Sequence, residues 1–118
     1  MIWAIFGIII GIIIGLTINF PIPLELTKYS AVIIMGILDA LFGAIRAEVT
    51  KDQFNSIIFI TGLLFNIILA IAVTLLGEKL GLELYLAATF VFTFRIFSNV
   101  GITRRALLQN VLQKEKKD

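Results

Sequence analysis

The chain has 118 residues, 59% of them hydrophobic, and a formal net charge of +2, with a mean hydropathy of +1.04. A soluble domain is about 45–50% apolar, and so short a fold leaves much of its surface wet, so the excess must face something other than water, and lipid is the expected surround. The sequence contains no cysteine and no histidine, which excludes disulfides, thiol chemistry, the usual zinc sites and the commonest proton shuttle near neutral pH.

The first apolar run, Ile2 to Ile18, carries no charge and is long enough to span a bilayer, which takes about 17–25 residues. A secretory leader is disfavoured, because no basic residue precedes the run and no small-residue cleavage site follows it. Pro21 and Pro23 end the helix, since proline lacks a donor and clashes with the preceding turn. Gly7, Gly11 and Gly15 recur every four residues and make a smooth groove along one face. Such a groove lets a second helix approach closely, either within the chain or as a glycine zipper between copies.

The second run, about Tyr29 to Ala47, is apolar apart from Asp39 and contains Gly36 and Gly43 as further packing positions. It is expected to span, with an interfacial or re-entrant helix as the other reading. Arg46, Glu48, Lys51 and Asp52 fall in the loop that follows. The third run, Phe54 to Leu76, carries Asn66 near its middle, and Gly77, Glu78, Lys79 and Gly81 are expected to form a tight polar turn. The fourth run starts near Leu82 and reaches about Ile102, with Arg95 inside it. Runs this continuous do not alternate as barrel strands do, and lipid admits only helices or closed barrels. The fold class is therefore all-α: an integral membrane bundle of about four transmembrane helices over 1–103, followed by a basic amphipathic tail over 104–118.

Topology follows from Lys and Arg in the loops. With four spans, Arg46 and Lys51 share a side with Arg104, Arg105, Lys114, Lys116 and Lys117, seven basic residues against Lys28 and Lys79. This places both termini in the cytoplasm. In the tail, Leu107, Leu108, Val111 and Leu112 fall on one helical face. That pattern predicts an extension of the fourth helix that rests on anionic headgroups or docks to a membrane or cytoplasmic protein. Nucleic acid is not an expected partner.

Asp39 and Arg95 are the charges set deepest in apolar runs. Asp39 lies seven residues before Arg46, about 10 Å along a helix, and Arg95 nine residues before Arg104, about 14 Å. A charge at the bilayer centre costs several kcal/mol unless paired or hydrated, so an Asp39–Arg95 ion pair assisted by Asn66 or Asn99 is expected. Otherwise Arg95 snorkels to the headgroups and Asp39 turns to Arg46. Such a pair either fixes helix register or lines a path for a solute. A mid-span asparagine such as Asn66 usually bonds across helices, at about 0.6–2 kcal/mol. Trp3, Tyr29 and Tyr85 stand at span ends, where aromatic rings prefer the interface. No nucleophile–base set, carboxylate pair, metal cluster or phosphate loop is present, so no enzyme activity, cofactor or metal is expected.

These residues resemble a known family. The stretch Leu38-Asp39-Ala40-Leu41-Phe42-Gly43-Ala44-Ile45-Arg46-Ala47 is similar to a motif of the bacterial small basic proteins. So is the run of Gly62 and Phe65 to Ala70, and so is the block Leu84 to Ala88 followed by Phe92, Arg95, Phe97, Asn99, Arg104 and Arg105. The resemblance covers nearly the whole chain, including the early glycine repeat. It implies a small inner-membrane protein of Gram-positive and related bacteria, whose genes lie beside those of cell division, near the gene of the tubulin-like division protein. It carries over no reaction and no catalytic residue. The function expected is a structural or scaffolding role, linked to cell division or envelope assembly, in a homo-oligomer. The alternative is a transporter or channel subunit that uses Asp39, Asn66 and Arg95.

Overall fold

The computed structural model describes residues 2–51 and 55–117, apart from the side chains of Ala4 and Lys117. Asp52 of the second loop, Phe54 at the expected start of the third span and the Lys117 side chain lie outside the described residues. Four helices are present: α1 (Ile2–Thr17), α2 (Thr27–Val49), α3 (Ser56–Leu80) and α4 (Tyr85–Lys117). Among the described residues there is no strand. α2, α3 and α4 are each long and apolar enough to cross a membrane, whereas α1 is apolar but shorter. At 1.5 Å per residue its 16 residues reach about 24 Å, against a hydrocarbon core of about 30 Å. Three helices therefore meet the length of a span where the sequence suggested four.

The second apolar run forms one unbroken helix of 23 residues. It starts earlier than hydropathy suggests, after a short 3-10 turn at Leu24–Leu26 in which the Pro23 carbonyl accepts from the Leu26 N–H and the Thr27 hydroxyl. α1 stops at Thr17, ahead of both prolines. The expected turn at residues 77–81 needs correction: Gly77, Glu78 and Lys79 belong to α3, and only Gly81 leaves the helix, as a left-handed C-cap at φ 69°. Hydropathy marks where lipid ends, but the hydrogen-bond ladder runs on. The helix persists because Gly77 lets the returning chain pack onto it: a Cβ there would lie 2.7 Å from the Leu82 carbonyl oxygen and 3.0 Å from Leu84 N. α4 begins three residues later than expected and passes position 103 without a break, so the tail is the end of that helix.

Polar and apolar groups are inverted relative to a soluble fold. Asp39, Thr74 and Asn99 are buried, while Phe65, Phe94, Phe97 and Ile68 are among many large apolar side chains left exposed. Exposed apolar surface on this scale marks a surface meant for lipid or protein, and the three long helices are compatible with a membrane protein. The hydroxyls of Thr61, Thr74, Thr93 and Thr103 each return to the carbonyl four residues back, which satisfies them without water.

A small core of Val32, Ala70 and Phe92, flanked by Met35, Ile71, Tyr85 and Ala88, joins α2, α3 and α4. α2 is the central helix; it packs most extensively on α4, then on α3, while α3 and α4 touch least. The α2–α4 seam has one register. Gly36 meets Phe92, Asp39 meets Arg95 and Gly43 meets Asn99, three pairs with the same sequence spacing of 56. A constant spacing of one sign means that α2 and α4 run parallel. The molecule extends 60 × 31 × 24 Å, and its length reflects α4, whose 33 residues measure about 50 Å.

Replacing Gly77 by alanine is expected to lower stability by about 1–3 kcal/mol, because the added methyl meets backbone. Gly81→Ala is expected to cost about 1–2 kcal/mol from the left-handed conformation. Gly62, with nothing within 4 Å of its Cβ position, is expected to accept alanine without loss. Thermal unfolding of the three variants in detergent checks this order.

Candidate functional site

Asp39 sits on the α2 face that carries Gly36 and Gly43, one turn from each. Small residues on that face bring α4 close, and Asp39 is buried as a result. Its Oδ2 lies 3.4 Å from Nη2 of Arg95 on α4, and the Arg95 side chain is 50% exposed. One residue of the pair is thus enclosed and the other reaches outward. Asp39 Oδ1 is buried and finds no hydrogen-bond partner among the described residues. Seven residues further along α2, Arg46 Nη1 donates to Oδ1 of Asn99 at 3.1 Å. Asn99 therefore serves Arg46 and not the ion pair, and Arg46 turns to α4 and not back to Asp39.

These groups line a cavity of about 500 Å³ between α3 and the α2–α4 seam. Asn66 lines it, as does Arg95. The sequence singled out Asp39, Asn66, Arg95 and Asn99, and all four line this one cavity. Asn55 and Ser98 also line it, and so does Arg46, which sequence reading used only for topology. Asn55 caps α3, accepting from the N–H groups of Ile57 and Ile58. Its signal was available, as an asparagine directly before an apolar helical run.

The glycines divide. Gly36 lies against Ile67 and Phe92, and Gly43 against the Asn99 amide. Gly7, Gly11 and Gly15 have nothing within 4 Å of their Cβ positions, so among the described residues none fills their groove. Leu107, Leu108, Val111 and Leu112 in the tail are likewise exposed, as are Arg104, Arg105, Lys114 and Lys116. At the opposite end of the bundle the Tyr29 hydroxyl donates to Glu78 Oε2 at 2.8 Å. Lys28 Nζ stands 5.3 Å from the centre of the Tyr85 ring, within cation–π range. These contacts tie α2 to α3 and α4, a role that interfacial preference alone did not suggest. Among the described residues no group of three acidic, cysteine or histidine side chains is placed to hold a metal.

Breaking the ion pair from the exposed side leaves Asp39 buried and unpaired. Arg95→Gln is expected to destabilise by about 1–3 kcal/mol. Combining it with Asp39→Asn is expected to cost less than the sum of the two changes, because the pair is coupled. A double-mutant cycle of thermal unfolding in nanodiscs reads both.

The family profile described as a protein of unknown function (DUF1290) matches residues 22–108. The chain is similar to the small basic protein of Bacillus subtilis (strain 168), 41% identical over 114 residues, covering 96% of this chain and 93% of the relative. It is also similar to uncharacterised proteins of Mycobacterium bovis and Mycobacterium tuberculosis. Each is 31% identical over 88 residues, covering 73% of this chain and 72% of the relative. No solved structure matches the chain.

Proposed function

The chain belongs to the DUF1290 family, the small basic proteins, and from that premise we propose that it is a structural protein of the bacterial plasma membrane that assembles with copies of itself. The observation that carries this reading is α1, an apolar helix whose three aligned glycines have no described residue within 4 Å of their Cβ positions. A glycine groove gains its stabilisation from a close backbone partner, and a second copy of α1 supplies one. In this reading α1 crosses the membrane with α2, α3 and α4, both termini are cytoplasmic, and the exposed tail of α4 offers Arg104, Arg105, Lys114 and Lys116 to anionic headgroups or a partner protein. The absence of a catalytic set in the sequence favours this over an enzyme, and the expected setting is cell division or envelope assembly.

A second reading has one observation in its favour. Asp39, Asn66 and Arg95 line the same cavity, as a small transporter or channel subunit would require. The two readings separate by mutation. If Asp39→Asn and Arg95→Gln keep fold and assembly but abolish a measured solute flux, the scaffold reading fails.

Oligomeric mass in nanodiscs, with and without Gly11→Leu, tests assembly directly. The bulky side chain is expected to leave helical content intact and to lower the mass, because it fills a groove that no described residue of the same chain occupies. An unchanged mass contradicts assembly through α1.

A further inference from the structure

The polar cavity does not end at Asn66 and Arg95. A second cavity of about 260 Å³ shares those two residues. It continues between α3 and α4, walled by Leu69, Val73, Val91 and Phe92, with Ala87 and Ala88 keeping it open. The two adjoin along α3 and together make a cleft, polar at one end and apolar at the other. Its apolar part lies between α3 and α4, which pack on each other less than either packs on α2.

The polar end has a definite chemical demand. Arg46 and Arg95 each carry five N–H donors in a fixed fork, and one contact is described for each: Arg46 with Asn99, and Arg95, half exposed, with Asp39 at 3.4 Å. Among the described lining residues, two guanidinium groups and one carboxylate leave a surplus of one positive charge. The unpartnered Asp39 Oδ1 is buried in the seam and is out of a ligand's reach. A matching ligand must therefore present an anion that accepts from arginine, and a phosphate does so. The apolar end then decides between a soluble phosphate ester and a lipid. A soluble ester has no use for a groove of leucine, valine and phenylalanine, whereas an acyl chain fills it.

We propose that the cleft between α3 and the α2–α4 seam binds a single phospholipid, its phosphate between Arg46 and Arg95 and one acyl chain along Leu69, Val73 and Val91. The polar end sits by the last turn of α2 and the first turn of α3, where Arg46 and Asn55 stand. At that level a bilayer lipid carries its own phosphate, and the lipid enters sideways without leaving its leaflet. The site is independent of α1 and of assembly through it.

The test is native mass spectrometry of the delipidated full chain in detergent, titrated separately with phosphatidylglycerol, phosphatidylcholine and glycerol 3-phosphate. One phosphatidylglycerol per chain is expected to be retained. Phosphatidylcholine, whose quaternary ammonium adds a positive charge beside the two arginines, is expected to bind about tenfold more weakly, as is phosphatidylglycerol to Arg95→Gln or Arg46→Gln, each losing one charge-assisted contact. Ala87→Phe, which fills the groove and touches no charge, is expected to weaken the lipid as well, and it tests the site should an arginine variant fail to fold. Lys79→Gln, which removes a positive charge elsewhere, is expected to change nothing. Equal retention of both lipids by the native chain and every folded variant means surface lipid only and overturns the proposal. Glycerol 3-phosphate binding as tightly as the lipid makes the cavity a soluble-anion site and overturns it too.

Discussion

Asp39 must be satisfied inside an apolar helix, and the rest of the bundle is arranged around that requirement. An ionised carboxylate removed from water carries a penalty of several kcal/mol, which a well-placed cation offsets without large net gain. The pair with Arg95 at 3.4 Å therefore contributes less to raw stability than to uniqueness. A slip of α4 along α2 by one turn, about 5.4 Å, would separate the charges and leave Asp39 buried alone. The neighbouring contacts share that register: Gly36 with Phe92 and Gly43 with Asn99. Small residues on α2 permit the close approach, the close approach buries Asp39, and the burial makes Arg95 necessary.

The same arrangement explains why the bundle is open on one side. α2 and α4 run parallel and take most of the packing, so α3, which connects them, rests mainly on α2. Gly62 on α3, with nothing within 4 Å of its Cβ position, and the alanines of α4 leave a cleft that bulkier residues would close. Polar groups fixed at the seam are thereby presented to one lateral opening. α1 and the end of α4 stand at the margin of this unit: one offers a glycine groove that no described residue fills and the other an exposed basic helical tail.

Much of this was legible in the sequence. Apolar run length located the helices, and matched depth from Arg46 and Arg104 pointed from Asp39 to Arg95. What hydropathy missed was helix ends, because apolar sequence and helical hydrogen bonding stop at different residues. Thr27 and Lys28 begin α2 in polar surroundings, and Glu78 and Lys79 finish α3 beyond the apolar run. Gly77 looked like a turn residue and is instead a contact point inside a helix. Cross-helix bonds with large sequence separation, such as Tyr29 to Glu78 and Arg46 to Asn99, depend on which faces meet, and one sequence does not disclose that. The glycines of α1 left two uses open; no described residue lies within 4 Å of their Cβ positions.

The central claim is that Asp39 and Arg95 hold α2 and α4 in one register. The natural chain has no cysteine, so introduced pairs report on register without background. The direct measurement is cross-linking in native membranes with a short thiol reagent, comparing Gly43→Cys paired with Asn99→Cys against Gly43→Cys paired with Thr103→Cys, each with Arg95 intact and as Arg95→Gln. The account predicts strong preference for the Asn99 pair when Arg95 is present and loss of that preference when it is not. Equal cross-linking of the two pairs in the intact chain, or a preference that survives Arg95→Gln in full, would contradict it.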